Sequence, residues 1–262
     1  MVRLIVASLN TRGIPLRGSR LGERYAAIGG VFEASEVDVV NFQEVLTYYH
    51  LRQLRRAMPA YRFAAFRRSL AGPAGGLLTL SRTPIARTGY RRLPMPGAAD
   101  AVGLPRLSRL KASLKGVLLT SLSGVTVANT HLLANFDGDW SEANRYYRLH
   151  QGQLAALGRT VAAIHGPVIL SGDFNIARDS SLYGDFIRDT GLVDAFGADC
   201  PPTFHASYLH SNQTAHCIDF LLLSDPSITV EAAQLTFTEQ LPMPGGPDYL
   251  TDHLGLQVSL VL

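Results

Sequence analysis

The feature that most constrains the fold is a short apolar run that ends in a Gly-Asp-Phe-Asn turn. Residues 168–170 are Val-Ile-Leu, and the turn occupies residues 172–175. A short apolar run closed by a turn predicts a strand buried inside a sheet. Asp173 and Asn175 are two positions apart, so an extended chain directs both side chains to one face. The segment predicts a sheet edge that presents a carboxylate and a carboxamide, although an Asx turn that only ends the strand is the commoner explanation.

Several other predicted strands also end in, follow or contain a polar side chain. The residues concerned are Asn10, Glu44, His131, Asp219, Asp252 and His253. Each of them alone is more commonly a turn former or a solvated surface group. Together with Asp173 and Asn175 they form a set of carboxylates, amides and imidazoles at strand ends. Such a set serves a hard divalent cation and a phosphate better than a purely structural purpose.

Between these strands, apolar residues recur at helical spacing, and this alternation of strands and helices is compatible with an α/β fold. The predicted helices cover residues 22–34, 46–58, 140–164 and 182–190. Residues 110–122 and 125–130 read as a hairpin that turns at Ser123-Gly124. Residues 90–105 are rich in proline, glycine and alanine and predict a long surface loop, a kind of segment that is often functional.

Composition allows a substantial core in a chain of 262 residues, of which 47% are hydrophobic and 17% charged. We find no linker-like stretch or repeat and predict a single domain over residues 1–262. No apolar run reaches the roughly 18 residues of a transmembrane helix. The first apolar run is too short for a signal peptide, so we expect a cytoplasmic protein, with a mature secreted form as the alternative. Cys200 and Cys217 form no disulfide framework and favour a reducing compartment.

The charge of the chain is mildly basic, with a net charge of +3. Nearly all basic residues are arginine, and the only lysines are Lys111 and Lys115. A charge this small does not require a nucleic-acid partner. A cluster of arginines could meet either an anionic lipid surface or a nucleic-acid backbone. The cluster comprises Arg52, Arg55, Arg56, Arg62, Arg67 and Arg68.

The ordered set of motifs resembles the endonuclease/exonuclease/phosphatase superfamily, the metal-dependent phosphoesterases related to deoxyribonuclease and abasic-site endonucleases. The resemblance implies a four-layer α/β/β/α sandwich, two packed mixed β-sheets flanked by helices, with the active site in a cleft at one end. It spans nearly the whole chain. The matching segments, in order, are residues 8–10, 43–44, 75–82, 129–132, 172–175, 218–220 and 251–253.

The resemblance also implies a metal site. Glu44 would be the principal Mg²⁺ ligand, supported by Asn10 and Asp252, and Mn²⁺ could substitute for Mg²⁺. Many relatives carry an acidic residue shortly after the first asparagine, whereas this chain has Thr11 and Arg12 there. That departure puts a second acidic ligand at this position in doubt.

The resemblance further implies the roles of five catalytic residues. His253 would be the general base, oriented and kept basic by Asp219. Asp173 would align the attacking water, Asn175 would hold a phosphate oxygen, and His131 would face the phosphate or leaving group from the opposite side. The sequence has Cys217 where relatives usually have arginine, which puts one supporting contact in doubt.

The substrate is less constrained, because the superfamily acts on DNA, RNA, phospholipid head groups and inositol phosphates. Residues 144–151 are similar to a helix of the neutral sphingomyelinase-like branch, with Arg148 and Gln151 at the matching positions. An ordinary polar contact between helix and loop would explain these two residues as well. We therefore predict hydrolysis of a phosphodiester by water, on a lipid head group and with peripheral membrane contact.

Three alternatives remain open. They are a DNA endonuclease or exonuclease, an inositol-phosphate or nucleotide phosphatase, and a catalytically silent binding scaffold. The presence of the complete set of predicted site residues disfavours the scaffold. The sequence leaves the oligomeric state open.

Overall fold

The computed structural model describes residues 2–14, 19–95, 97, 103–197, 200–211, 213–243 and 246–262. They form two six-stranded sheets and five α-helices. The strands are β1 (Arg3–Asn10), β2 (Val39–Gln43), β3 (Phe63–Ala65), β4 (Leu78–Ser81), β5 (Arg87–Arg92), β6 (Gly116–Leu122), β7 (Val125–His131), β8 (Val168–Asp173), β9 (Val193–Asp194), β10 (Asp219–Leu223), β11 (Thr229–Thr236) and β12 (Gly255–Val261). The helices are α1 (Leu21–Glu33), α2 (Tyr48–Ala57), α3 (Arg106–Ala112), α4 (Tyr147–Ala162) and α5 (Ser181–Thr190).

Both sheets are mixed. The strand order is β11-β12-β1-β2-β4-β3 in the first sheet and β5-β6-β7-β8-β10-β9 in the second. The pairs β1–β2 and β7–β8 are parallel, and the neighbours β12–β1 and β8–β10 are antiparallel. Because two parallel strands end at the same edge, each central pair delivers the ends of both of its strands to one side of its sheet.

The layers follow from the alternation of side chains along the strands. In β1, Leu4 and Val6 belong to the core between the sheets, whereas Ile5 and Ala7 belong to the core formed with α1 and α2. In β8, Ile169 packs between the sheets, and its neighbours pack with α4 and α5. The structure therefore confirms the predicted four-layer α/β/β/α sandwich.

A group of buried polar side chains also lies between the sheets, and we call it the inter-sheet polar network. Asn41 of β2 donates to Ser171 Oγ of β8 at 2.9 Å. Gln43 of β2 donates to Asn129 Oδ1 of β7 at 2.8 Å, and Asn129 donates to the carbonyl of Phe42 at 3.0 Å. Buried polar groups are stable only when they are bonded, so these contacts favour one lateral alignment of the two sheets.

The long helix predicted over residues 140–164 begins only at Tyr147. Upstream of it, Asp139 accepts a hydrogen bond from the Ser141 amide, and Asn144 accepts one from the Tyr146 amide. Asp and Asn side chains that bond to nearby backbone groups compete with helix formation. The apolar spacing continues through this turn segment, which explains why the predicted helix was too long.

The predicted loop and hairpin between residues 90 and 122 also differ from the structure. Helix α3 occupies part of the predicted first arm, which begins as β6 only at residue 116. Leu93 and Leu104 are buried, whereas Met95 is exposed. Val102 lies outside the described residues. Two apolar residues of the predicted surface loop, Leu93 and Leu104, are therefore core residues.

Membrane-spanning character is not found among the described residues. The longest described helix, α4, has 16 residues, and none has the length and apolarity that crossing a bilayer requires.

Gly172 allows β7 and β8 to approach each other next to Asp173. Its φ is 150°, and an added Cβ would overlap the carbonyl oxygen of Thr130. We expect Gly172→Ala to lower the free energy of unfolding by about 3 kcal/mol, because backbone on both sides of the clash is held in the sheet. Urea unfolding followed by circular dichroism measures this change.

Gly152→Ala in α4 is the matched control. An added Cβ at Gly152 meets nothing within 4 Å, so this change should stabilise the helix by about 0.5–1 kcal/mol. A Gly172→Ala protein as stable as the parent would contradict the close approach of the two strands.

Candidate active site

Residues at the ends of the central strands of both sheets line one cleft, which has a volume of about 1400 Å³. Asn10 ends β1 and Glu44 follows β2 in the first sheet, while His131 ends β7 and Asp173 ends β8 in the second. Asn10 Nδ2 donates to Asp173 Oδ2 at 2.8 Å and so joins the two halves. Of the predicted site residues, all except Asp219 line this cleft.

Asp219 and His253 form a buried hydrogen-bonded pair beside the cleft. His253 Nδ1 lies 2.9 Å from Asp219 Oδ2, and Thr203 Oγ1 donates to the same oxygen at 2.7 Å. Burial disfavours the charged imidazole, but the carboxylates of Asp219 and Asp173 outweigh burial and raise the pKa of His253 well above its usual value. The contact with Nδ1 fixes the ring and leaves Nε2 on the side of Asp173, 3.7 Å from its Oδ2.

Asp173 is the central polar group of the cleft. Its Oδ1 accepts a hydrogen bond from the Asn175 amide at 2.9 Å, and its Oδ2 lies 3.4 Å from His131 Nε2. Burial raises the pKa of Asp173 to about 7, against the opposing effect of His253. A carboxylate with this environment would be stabilised in its charged form by a nearby cation.

His131 lies opposite Asp173 in the parallel register of β7 and β8. Burial, followed by the charge of Lys115, lowers the pKa of His131 well below its usual value. The imidazole is therefore neutral near neutral pH and acts as a hydrogen-bonding group rather than a charge.

Asn175 adopts a left-handed backbone conformation, with φ of 53°. Its Nδ2 donates to the carbonyl of Leu132 at 3.1 Å, and its own carbonyl accepts a hydrogen bond from Trp140 Nε1 at 2.9 Å. An amide nitrogen carries two hydrogens, so one further donor of Asn175 is available to a ligand in the cleft.

The three predicted metal ligands are held by one turn of the chain. The backbone amide of Gly13 donates to Glu44 Oε2 at 2.9 Å, and that of Arg12 donates to Asn10 Oδ1 at 3.0 Å. Arg12 Nε lies 3.5 Å from Asp252 Oδ2. All three predicted ligands offer oxygen atoms, which hard divalent cations prefer. Their chemistry, with the buried Asp173 carboxylate beside them, fits such a cation.

Asp173, Asp219 and His253 are another possible ligand set, and their ligand atoms all lie within 4.8 Å of one another. In it, His253 Nδ1 is already bonded to Asp219 Oδ2. A histidine bonded in this way is suited to moving a proton, as in the pairs that orient a general base.

Lys115 is a cleft residue that the sequence analysis did not select. Burial lowers its pKa to about 8, against the opposing charges of Asp173 and Glu44. Lys115 and Lys111, the only lysines of the chain, both line the cleft. Their rarity in an arginine-rich sequence was the one signal that could have identified them.

Helix α4, whose sequence resembles that of neutral sphingomyelinases, contacts the segment after His131. It does so through residues other than Arg148 and Gln151, the two that the resemblance indicated. Arg148 bonds to Gln151 on the exposed face of α4. His150 Nε2 lies 2.8 Å from the carbonyl of Leu133, and Gln153 accepts a hydrogen bond from the Leu133 amide at 3.2 Å. These buried contacts position the chain just after His131.

A curated relative, the inositol phosphosphingolipids phospholipase C of Schizosaccharomyces pombe, is 29% identical over 205 residues, which are 73% of this chain and 45% of the relative. The chain thus spans about half the length of this relative.

Solved structures share the fold at low sequence identity. The beta toxin of Staphylococcus aureus matches with a TM-score of 0.74 and 17% identity, over 97% of this chain and 99% of the toxin. Sphingomyelinase C of Streptomyces griseocarneus matches with a TM-score of 0.68 and 20% identity, over 99% of each chain. TDP2 of D. rerio, complexed with a single-strand DNA product, matches with a TM-score of 0.73 and 17% identity, over 99% of each chain.

The family model of the Endonuclease/Exonuclease/phosphatase family matches residues 7–253. This range includes every cleft residue discussed above. The chain therefore belongs to the Endonuclease/Exonuclease/phosphatase family, whose members are hydrolytic phosphoesterases that generally depend on a divalent metal.

Proposed function

We propose that this protein is a Mg²⁺-dependent phosphodiesterase that releases the head group of a lipid by in-line attack of water. The observation that carries the reaction is the buried Asp219–His253 pair, with His253 Nδ1 bonded to the carboxylate at 2.9 Å. Its imidazole lines the same cleft as the three predicted metal ligands. A general base beside a cation site is the arrangement that hydrolysis of a phosphodiester requires.

Each of these residues of the cleft has its own role in the proposed reaction. His253, in its neutral form, takes the proton of the attacking water at Nε2, while Asp219 stabilises the resulting imidazolium through Nδ1. Because the pKa of His253 is raised, the rate should rise with pH as the neutral form becomes populated. Asp173 orients the water through Oδ2, next to His253. His131 and Lys115 contact the phosphate from the second sheet.

The predicted metal ligands Asn10, Glu44 and Asp252 would hold Mg²⁺ at the edge of the first sheet. Bound there, Mg²⁺ would neutralise the charge that develops on the phosphate and leaving oxygens. The remaining amide hydrogen of Asn175 donates to a non-bridging phosphate oxygen, so the chain itself contributes to the same charge stabilisation.

A lipid substrate is supported by what we call the apolar rim, a set of exposed side chains that line the cleft. Their exposed fractions run from 60% to 101%. Single exposed apolar residues are ordinary, but several around one cleft indicate an interaction surface. Lys111 Nζ lies 5.7 Å from the ring of one of them, Phe136, and cations beside apolar groups suit an anionic membrane surface. The rim consists of Leu70, Met95, Leu114 and Phe136.

A nuclease is the second candidate, because exposed arginines also line the cleft. Arg67, Arg68 and Arg92 do so, and guanidinium groups bind phosphates of a nucleic-acid backbone. Arg52, Arg55 and Arg56 lie on the exposed face of α2 and do not line the cleft. The basic cluster predicted from sequence is thus divided, which favours the lipid over a long nucleic-acid track.

A side-by-side assay separates the two substrates. Sphingomyelin vesicles containing phosphatidylserine, and supercoiled plasmid, are incubated with the protein in Mg²⁺, in Mn²⁺ and in chelator. We expect release of choline phosphate that depends on the metal. Plasmid nicking without head-group release would favour the nuclease, and hydrolysis of p-nitrophenyl monoesters but not diesters would favour a phosphatase.

Two charged substitutions in the apolar rim test the lipid interface. We expect Leu70→Glu and Phe136→Glu each to lower the rate on vesicles by about 10-fold, because an apolar side chain would no longer enter the membrane. The rate on a soluble p-nitrophenyl diester should not change. Val31→Glu is the matched control, since Val31 is exposed on α1 and does not line the cleft. Equal losses on both substrates would contradict the role of the rim.

A further inference from the structure

Outside the cleft, the structure brings the two cysteines of the chain together. Cys200 Sγ and Cys217 Sγ are 2.8 Å apart although the residues are 17 positions apart in the sequence. Both are free thiols; Cys217 is buried and Cys200 is partly buried. A disulfide bond is about 2.05 Å long, so a shift of less than one ångström would allow the bond to form.

The pair is accessible to small thiol reagents. Both cysteines line a surface depression of about 380 Å³, together with Arg178 and His216. The hydrogen bond from Cys217 lowers the pKa of Cys200, and the charge of Arg178 acts in the same direction, against burial. The same hydrogen bond and burial raise the pKa of Cys217. Cys200 is therefore the thiol that reacts first with an external disulfide.

The segments that carry the two thiols both support the Asp219–His253 pair. Cys217 lies two residues before Asp219, and Cys200 lies three residues before Thr203. Thr203 Oγ1 donates to Asp219 Oδ2 at 2.7 Å and accepts a hydrogen bond from the Asp219 amide at 3.1 Å. The Thr203 carbonyl accepts a hydrogen bond from the amide of Leu254 at 2.7 Å. A bond between the thiols would fasten this segment to the start of β10.

We propose that Cys200 and Cys217 form a reversible disulfide that locks the Thr203 segment against β10, beneath the Asp219–His253 pair. The oxidant is a low-molecular-weight disulfide such as oxidised glutathione. The Cys200 thiolate attacks one of its sulfurs, which forms a mixed disulfide and releases the first glutathione thiolate. Cys217 then loses its proton and attacks Cys200 Sγ, and the second glutathione leaves. One external disulfide is reduced to two thiols, and the protein loses two hydrogens.

The test uses the folded protein without substrate, so its outcome does not depend on the proposed function. The protein is equilibrated with mixtures of reduced and oxidised glutathione, free thiols are trapped with a maleimide, and the mass and peptide map are recorded. We expect a mass decrease of two hydrogens and a peptide that joins residues 200 and 217. We also expect the oxidised protein to unfold about 5 °C higher than the reduced one, because the bond closes the loop between residues 200 and 217 and so constrains the unfolded chain.

Two variants serve as controls. Cys200→Ser and Cys217→Ala should both abolish the oxidant-dependent rise in Tm, and Cys217→Ala should accumulate one glutathione on Cys200. The proposal is wrong if both thiols of the parent protein stay reactive towards maleimide in excess oxidised glutathione. It is equally wrong if the parent accumulates the glutathione adduct instead of the internal bond.

Discussion

Replacing His253 by asparagine is expected to lower kcat by about 10⁴-fold without unfolding the protein. The asparagine amide preserves the size of the side chain and a polar contact with Asp219, but it has no nitrogen that can take a proton from water. Single-turnover rates on the preferred diester, with circular dichroism as a check of folding, measure the effect.

The matched control is His165→Asn, which changes an exposed histidine in the connection before β8. It should leave kcat unchanged. Asp219→Asn should cost less than His253→Asn, and the two changes together should cost no more than His253→Asn alone, because Asp219 acts through the imidazole. Near-normal turnover in a folded His253→Asn protein would remove the histidine from the mechanism.

Replacing Glu44 by glutamine is expected to lower kcat/KM at a fixed Mg²⁺ concentration by about 10³-fold. The amide keeps the contact that Glu44 Oε2 makes with the Gly13 amide but removes the negative charge that would hold the cation. Calorimetric titration with Mg²⁺ measures the loss directly, in the absence of substrate. A chelator should abolish activity of the parent protein, and added Mg²⁺ should restore it.

Glu36→Gln is the control for this change, since Glu36 is an exposed acidic residue just before β2. Its Mg²⁺ affinity and its activity should equal those of the parent. A Glu44→Gln protein that binds Mg²⁺ as the parent does would show that the cation is held elsewhere in the cleft.

The strands of the fold could be predicted because the burial of a strand depends on residues that are neighbours in the sequence. Residues 168–170 are one case, and the structure confirms their buried strand. The meeting of Asn10 with Asp173, 163 residues later in the chain, could not be derived from local patterns, because it depends on how two sheets pack. Only the family resemblance predicted that these residues meet, and the family match over residues 7–253 bears out the resemblance.

Residues without a local signal were missed for physical reasons. Thr203 lies in an irregular segment, and its contact with Asp219 exists only in the folded chain. Lys115 precedes β6 in a stretch that apolar spacing assigned wholly to a strand, although part of it is helix α3. Because the secondary structure before β6 was predicted wrongly, Lys115 was not identified as a cleft residue.

The inter-sheet polar network has a consequence for protein engineering. One half of the predicted catalytic machinery is carried by each sheet, so activity depends on a lateral registration that apolar packing alone specifies poorly. Asn41 and Gln43 are both fully buried. We expect aliphatic residues at these positions to raise the melting temperature but to weaken the lateral alignment of the two sheets, and with it the alignment of the site residues that each sheet carries. A search for heat-tolerant variants that scores only melting would thus select against catalysis at these positions.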